Sequence, residues 1–169
     1  YLPYARGVMP VPHIIINEDQ KAAGYTIHKL APEFDTGDIL FQEQIALHDD
    51  ESVEQYCAKI LTKAPQAISK VLGDIEDSWN TAKTQDHSQA SQYPLPDSNM
   101  RTLDWSLSVE ETLKTQRAFG RFGCFAKFAE RLWNVYACEG WIEKHDHTAG
   151  TCITLQNNLA IIALSNGYI

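Results

Sequence analysis

Asp35-Thr36-Gly37-Asp38 sets two carboxylates around a glycine, directly ahead of the alternating run ILFQEQIAL (39–47). A strand entrance does not need that much charge. An aspartate in such a place can bond its own backbone and shape a turn. It can also share a proton with a second carboxylate, or orient and deprotonate a partner within a larger catalytic set. Other candidate groups are weaker. His145 and His147 in KHDHT have metal-like spacing but no accompanying Cys or carboxylate pattern, and they read as a solvated turn. His13 and His28 stand alone on mixed segments and read as partly buried structural residues.

The elements that must position Asp35 follow from pattern. Residues 1–12 carry three prolines and a glycine, which favours a loop, and HIIINED (13–19) suits a short helix or a strand. GYTIHKL (24–30) and ILFQEQIAL read as two strands of a hairpin around the acidic turn. Ile39, Phe41, Ile45 and Leu47 lie on one face, with Gln42 and Gln44 on the other. The stretch from Asp49 to Ile75 is the best helix. Val53, Cys57, Ile60, Leu61, Ala64, Ile68, Val71 and Leu72 recur at helical spacing, Asp49 and Asp50 suit its start, and Gly73 suits its end. Pro65 predicts a kink or two abutting helices. Residues 78–101 are polar and rich in Ser and Gln, and read as a linker. Beyond it, Ser108 and Glu111 stand at capping-box spacing and open a helix, and short strands follow. The Trp and Phe residues around 119–141 read as core rather than as a base-stacking platform.

Composition narrows the function class. The chain has 169 residues, 44% of them hydrophobic and 21% charged, which matches an ordinary folded domain or two small ones. The formal net charge is −8, so no broad basic surface for nucleic acid is advertised. No apolar run is long enough for a membrane span, and no metal is expected. The four cysteines, 57, 124, 138 and 152, are scattered without metal or disulfide spacing, so the expected setting is a reducing cytoplasm. Tyr1-Leu2-Pro3 reads as mid-loop and Asn166-Gly167 as a turn just before the last residues, so the sequence reads as a piece of a longer polypeptide.

Taken together, LPYARGVMP (2–10) and AGYTIHKLAPEFDTGDIL (23–40) resemble the 10-formyltetrahydrofolate-dependent formyltransferase family. Leu2, Pro3, Arg6, Gly7 and Pro10, then Gly24, Thr26 and Ile27, then Asp35, Thr36 and Gly37 fall in the family's order. LDWSLSVEETLKTQRAF (103–119) resembles the opening of that family's C-terminal domain. The resemblance implies an α/β fold. Residues 1–77 would be the C-terminal part of a Rossmann-like formyltransferase domain, 78–101 a linker, and 102–169 a small, mostly β, OB-like C-terminal domain, itself expected to be incomplete.

It also implies a site. Asp35 would be the catalytic aspartate, working with an Asn and a His expected upstream of Tyr1, so the chain alone is expected to be inactive. Leu30, Ala31, Pro32, Glu33, Phe34 and Asp35 would border the folate, with Phe34 equally readable as a hairpin-end core residue. Leu2, Pro3, Arg6 and Gly7 would shape the adjoining active-site loop. The co-substrate implied is 10-formyltetrahydrofolate, and the acceptor is a primary amine on methionyl-tRNA or on an amino-sugar nucleotide; a homodimer is compatible with this. Two other readings stand beside it: a non-catalytic interaction module derived from the family, and a dimeric protease. The Asp-Thr-Gly triplet resembles aspartic proteases, but no second copy occurs and Asp38 follows the glycine.

Overall fold

A computed structural model describes residues 1–128 and 130–169 and divides the chain into two compact units, 1–95 and 96–169. Among the described residues no helix is long and apolar enough to cross a membrane.

In the first unit the proline-rich start is a loop only as far as Met9. Helix α1 (Pro10–Ile16) begins with a proline, whose missing N–H would have lacked an intrahelical partner in any case. Strands β1 (Gly24–His28) and β2 (Ile39–Gln44) pair antiparallel, with a register shift between Ile27 and His28. The ten-residue connection 29–38 between them is longer than a tight hairpin turn. Helix α2 (Val53–Gly73) then packs its buried residues Val53, Tyr56, Ala67 and Val71 inward. Tyr56 is fully buried and its hydroxyl donates to the Ile45 carbonyl at 3.1 Å.

Three expectations about α2 need correction. Its start is capped by Ser52, which forms a reciprocal capping box with Gln55, and not by Asp49 or Asp50. Pro65 lies inside one uninterrupted helix, which removes the reading of two abutting helices there. Pro65 is exposed, so the Leu61 carbonyl deprived of its partner faces water, which lowers the cost of the missing bond. The apolar seam is also narrower than the sequence pattern suggested, because Leu61, Ile68 and Leu72 are exposed.

Helix α3 (Ile75–Asn80) follows at once, capped by Asp74. The next residues do not hang free. Lys83 and Ile39 exchange backbone hydrogen bonds at 2.7 and 2.9 Å, extending the edge of β2. Arg6 and Tyr93 are likewise tied through their backbones, and the buried His13 ring bonds the Pro94 carbonyl and stacks on Tyr93. The polar stretch expected to be a linker therefore packs on the first unit as far as Leu95.

The second unit starts with helix α4 (Val109–Phe119), whose Ser108–Glu111 capping box is present. Strands β3 (Cys124–Phe128) and β4 (Arg131–Val135) form one antiparallel pair. Strands β6 (Cys152–Gln156) and β7 (Leu159–Ile162) form another, and the two-residue strands β5 (Trp141–Ile142) and β8 (Gly167–Tyr168) a third. Val109, Ile162, Leu164 and Ile169 make its core. Asn166 accepts from the Val109 N–H at 2.9 Å, a second cap on α4 from the far end of the chain. The aromatic residues divide: Phe119 is core, whereas Phe122 and Trp141 are about half exposed.

The seam of α2 gives a direct test. Val71→Ala removes two buried methyl groups and is expected to cost about 2 kcal/mol, whereas Leu72→Ala on the exposed face should change stability by less than about 0.5 kcal/mol. Urea denaturation of the two variants measures both; equal losses would mean that the seam is misplaced.

Candidate active site

Asp35 sits in the 29–38 connection in the left-handed backbone region, at φ 58°. Aspartate tolerates that region better than most residues because its short side chain can bond locally. Thr36 closes the turn by donating its hydroxyl to the Glu33 carbonyl at 2.9 Å, and the Lys29 N–H reaches the Asp38 carbonyl at 2.9 Å. Gly37 is packed so closely on the Lys29 carbonyl that a Cβ there would collide with it. The turn needs its glycine for that approach rather than for a positive φ.

The backbone of this turn is held from the stretch read as linker. Gln85, only 4% exposed, donates its amide to the Asp35 carbonyl at 2.9 Å and to the Gly37 carbonyl at 2.6 Å. Its oxygen accepts from Arg6 Nη2 at 2.7 Å, and the same Nη2 donates to His87 Nδ1 at 2.9 Å. Arg6 thus gives Nη2 to two groups that brace the turn, while its Nε is buried without a hydrogen-bond partner among the described residues. Gln85 carries no sequence signal, because a single buried amide in a polar run has no periodicity to betray it.

The carboxylate has its own partners. Oδ2 of Asp35 accepts from the Gly7 N–H at 2.8 Å, and Oδ1 lies 3.6 Å from His28 Nε2. Gly7 has φ 135° and presses on the Tyr93 carbonyl, so a side chain there would be both strained and obstructed. Leu2 is buried and anchors the same loop: its N–H donates to Thr26 and its carbonyl accepts from Gln42 at 2.9 Å. Pro3 is half-buried beside it. The structure therefore brings Leu2, Arg6 and Gly7 onto the β1–β2 hairpin and the Asp35 turn. His28, set aside as structural, joins them.

Leu30, Ala31, Pro32, Glu33 and Phe34 line the outer edge of the connection, and all five are exposed. Leu30 is 97% and Phe34 74% accessible, so Phe34 is not a hairpin-end core residue. Two surface grooves on this unit lie apart from these residues in composition. One, of about 520 Å³, is lined by His48, Glu51, Gln55 and Lys59, and the other, of about 340 Å³, by Tyr25, Glu43, Lys63 and Lys70. Their polar groups already pair with each other, Lys59 with Glu51 and Lys63 with Glu43. Among the described residues no group of three His, Cys, Asp or Glu side chains converges on a metal position.

Residues 1–72, which contain this whole turn and loop, match the family described as formyl transferase. Residues 1–72 belong to the formyl transferase family. A methionyl-tRNA formyltransferase of Treponema denticola is 36% identical over 78% of this chain and 41% of its own length. A 4-N formyltransferase structure from Francisella tularensis is 27% identical with a TM-score of 0.65, over 80% of this chain and 58% of that one. HypX from Aquifex aeolicus, solved in complex with tetrahydrofolic acid, shares the fold at a TM-score of 0.77 and 15% identity, over 97% of this chain and 29% of that one. The chain spans about half the length of the curated relatives it matches.

The Gln85 clamp is testable without an assay of function. Gln85→Met keeps the bulk but strips three hydrogen bonds, leaving two carbonyls and an Arg6 donor short of partners. The expected loss is about 2–3 kcal/mol in a denaturant titration. A loss below about 0.5 kcal/mol would show that the turn holds itself.

Proposed function

We propose that the intact protein transfers a formyl group from 10-formyltetrahydrofolate to a primary amine, with Asp35 as its catalytic carboxylate. The observation that carries this reading is the Asp35 side chain itself. It is held at one oxygen by the Gly7 N–H within the segment that matches the family, and exposed apolar groups, Leu30 and Phe34, flank it.

The reaction makes a C–N bond between the acceptor nitrogen and the formyl carbon and breaks the bond from that carbon to the folate nitrogen. The attacking amine loses a proton and the departing folate nitrogen gains one. A carboxylate fixed at the reacting centre can accept the first proton and return it, which keeps the step balanced without another base. Groups that polarise the formyl oxygen belong to the same family scheme, as an Asn and a His. The run Leu30 to Phe34 supports a folate-bordering role: it offers accessible backbone groups and two uncovered apolar side chains.

For the acceptor, two readings have specific support. The relatives named methionyl-tRNA formyltransferase favour a charged tRNA. The 27% identity to a 4-N formyltransferase and the net charge of −8 favour a small amino-sugar nucleotide, which needs no broad basic surface. In both, the second unit, with its helix and antiparallel pairs, is read as an OB-like C-terminal domain.

Asp35→Asn in the intact protein decides between catalysis and turn formation. Asparagine accepts the left-handed conformation equally well, so the melting temperature should hold. The formyl-transfer rate should fall by ~10²-fold or more, because the amide cannot take up a proton. A variant with near-normal turnover would reduce Asp35 to a turn residue.

A further inference from the structure

Three successive N–H groups of the loop before α1 each meet an acceptor. The Ala5 N–H donates to Ser91 Oγ at 2.8 Å, the Arg6 N–H to the Ser91 carbonyl at 2.9 Å, and the Gly7 N–H to Asp35 Oδ2 at 2.8 Å. The Arg6 carbonyl in turn accepts from the Tyr93 N–H at 2.9 Å, so Arg6 and Gln92 form a parallel bridge. In such a bridge one residue turns both its N–H and its carbonyl to the partner segment, and the next residue faces the opposite way. The bridge therefore aims the Gly7 N–H away from residues 91–93 and toward the carboxylate.

Ser91 holds the start of this arrangement. Ala5 is buried and has φ 50°, a region that residues with a β-carbon keep only where their surroundings fix it. Its N–H is fixed by the Ser91 hydroxyl oxygen, and the following N–H by the carbonyl of the same residue. The acceptor end of the Gly7–Asp35 bond is held from the same stretch of chain, because Gln85 donates to the Asp35 and Gly37 carbonyls. Between Gln85 and Ser91 lies a 3₁₀ turn (His87–Gln89). Asp86 caps its start through the Ser88 N–H at 3.0 Å, and the Ala90 N–H closes its end on the His87 carbonyl at 3.3 Å. Donor and acceptor are thus tied to two points on one short, internally bonded segment.

We propose that Ser91 is a positioning residue for formyl transfer: its hydroxyl oxygen holds the Ala5 N–H, which keeps the Gly7 N–H aimed at Asp35 Oδ2 and the carboxylate in one orientation. It acts through Gly7 and Asp35. The hydrogen bonds stand without the formyl-transfer reading, and only the effect on rate rests on it.

The test uses two measurements. In the intact protein, Ser91→Ala is expected to lower kcat roughly 10-fold, within what displacement of a reacting group costs, with the KM for 10-formyltetrahydrofolate unchanged. Ser91→Thr keeps the hydroxyl acceptor and should restore most of that loss. Ser91→Cys keeps the shape with a weak sulfur acceptor, should fall between Ala and Thr, and decides the matter if Ser91→Ala does not fold. A normal kcat in the Ala or Cys variant, a Thr variant as slow as Ala, or a change in KM alone overturns the proposal. Separately, in ¹H–¹⁵N spectra the Ala or Cys variant should move the Gly7 amide resonance and speed its hydrogen exchange, while the β1 amides stay nearly still. An unmoved Gly7 amide, or a change spread equally over Gly7 and β1, overturns the positioning whatever the assay reports. A protein that transfers no formyl group but shows the Gly7 response upholds the positioning and overturns the assigned reaction instead.

Discussion

The first unit depends on one buried amide. Gln85 satisfies two carbonyls of the Asp35 turn with a single NH₂ group, and without it those carbonyls would face the interior unpaired. Buried backbone acceptors cost enough when unsatisfied that the chain segment carrying Gln85 must return to this turn. The return is visible in the Lys83–Ile39 and Arg6–Tyr93 backbone bonds on either side of it. A polar stretch that forms no core of its own is therefore ordered by hydrogen bonding to the site.

From that clamp the chemistry follows. Fixing the Asp35 and Gly37 backbone sets where the carboxylate emerges, and Gly7 then fixes one oxygen. Arg6 braces the same clamp through its Nη2, which donates to Gln85 and His87. The apolar side chains of Leu30 and Phe34 are left uncovered on the connection, whose ends are tied by the Lys29–Asp38 backbone bond. A rigid carboxylate beside an open apolar edge is what a group-transfer site needs before its substrate arrives.

Much of this was legible in the sequence. The hairpin, the long helix and the Ser108 capping box follow from alternation, helical spacing and cap chemistry, which are local signals. Asp35, Arg6 and Gly7 stood out through their order along the chain. The extent of the α2 seam did not, because Leu61, Ile68 and Leu72 fit the helical period as well as Val71 does, and only the packing distinguishes them. Gln85 was missed for a different reason. It makes its decisive contacts with backbone groups distant in sequence, and such contacts leave no residue-type pattern.

The central claim is that the Asp35 carboxylate stands at the reacting centre of formyl transfer. A crystal structure of the intact protein with tetrahydrofolate bound tests it most directly. The account predicts that the folate lies along Leu30 to Asp35, with the nitrogen that carries the formyl group within hydrogen-bonding reach of the Asp35 carboxylate, about 3 Å. A folate seated elsewhere, with Asp35 still held by the Gly7 N–H and far from that nitrogen, would contradict it.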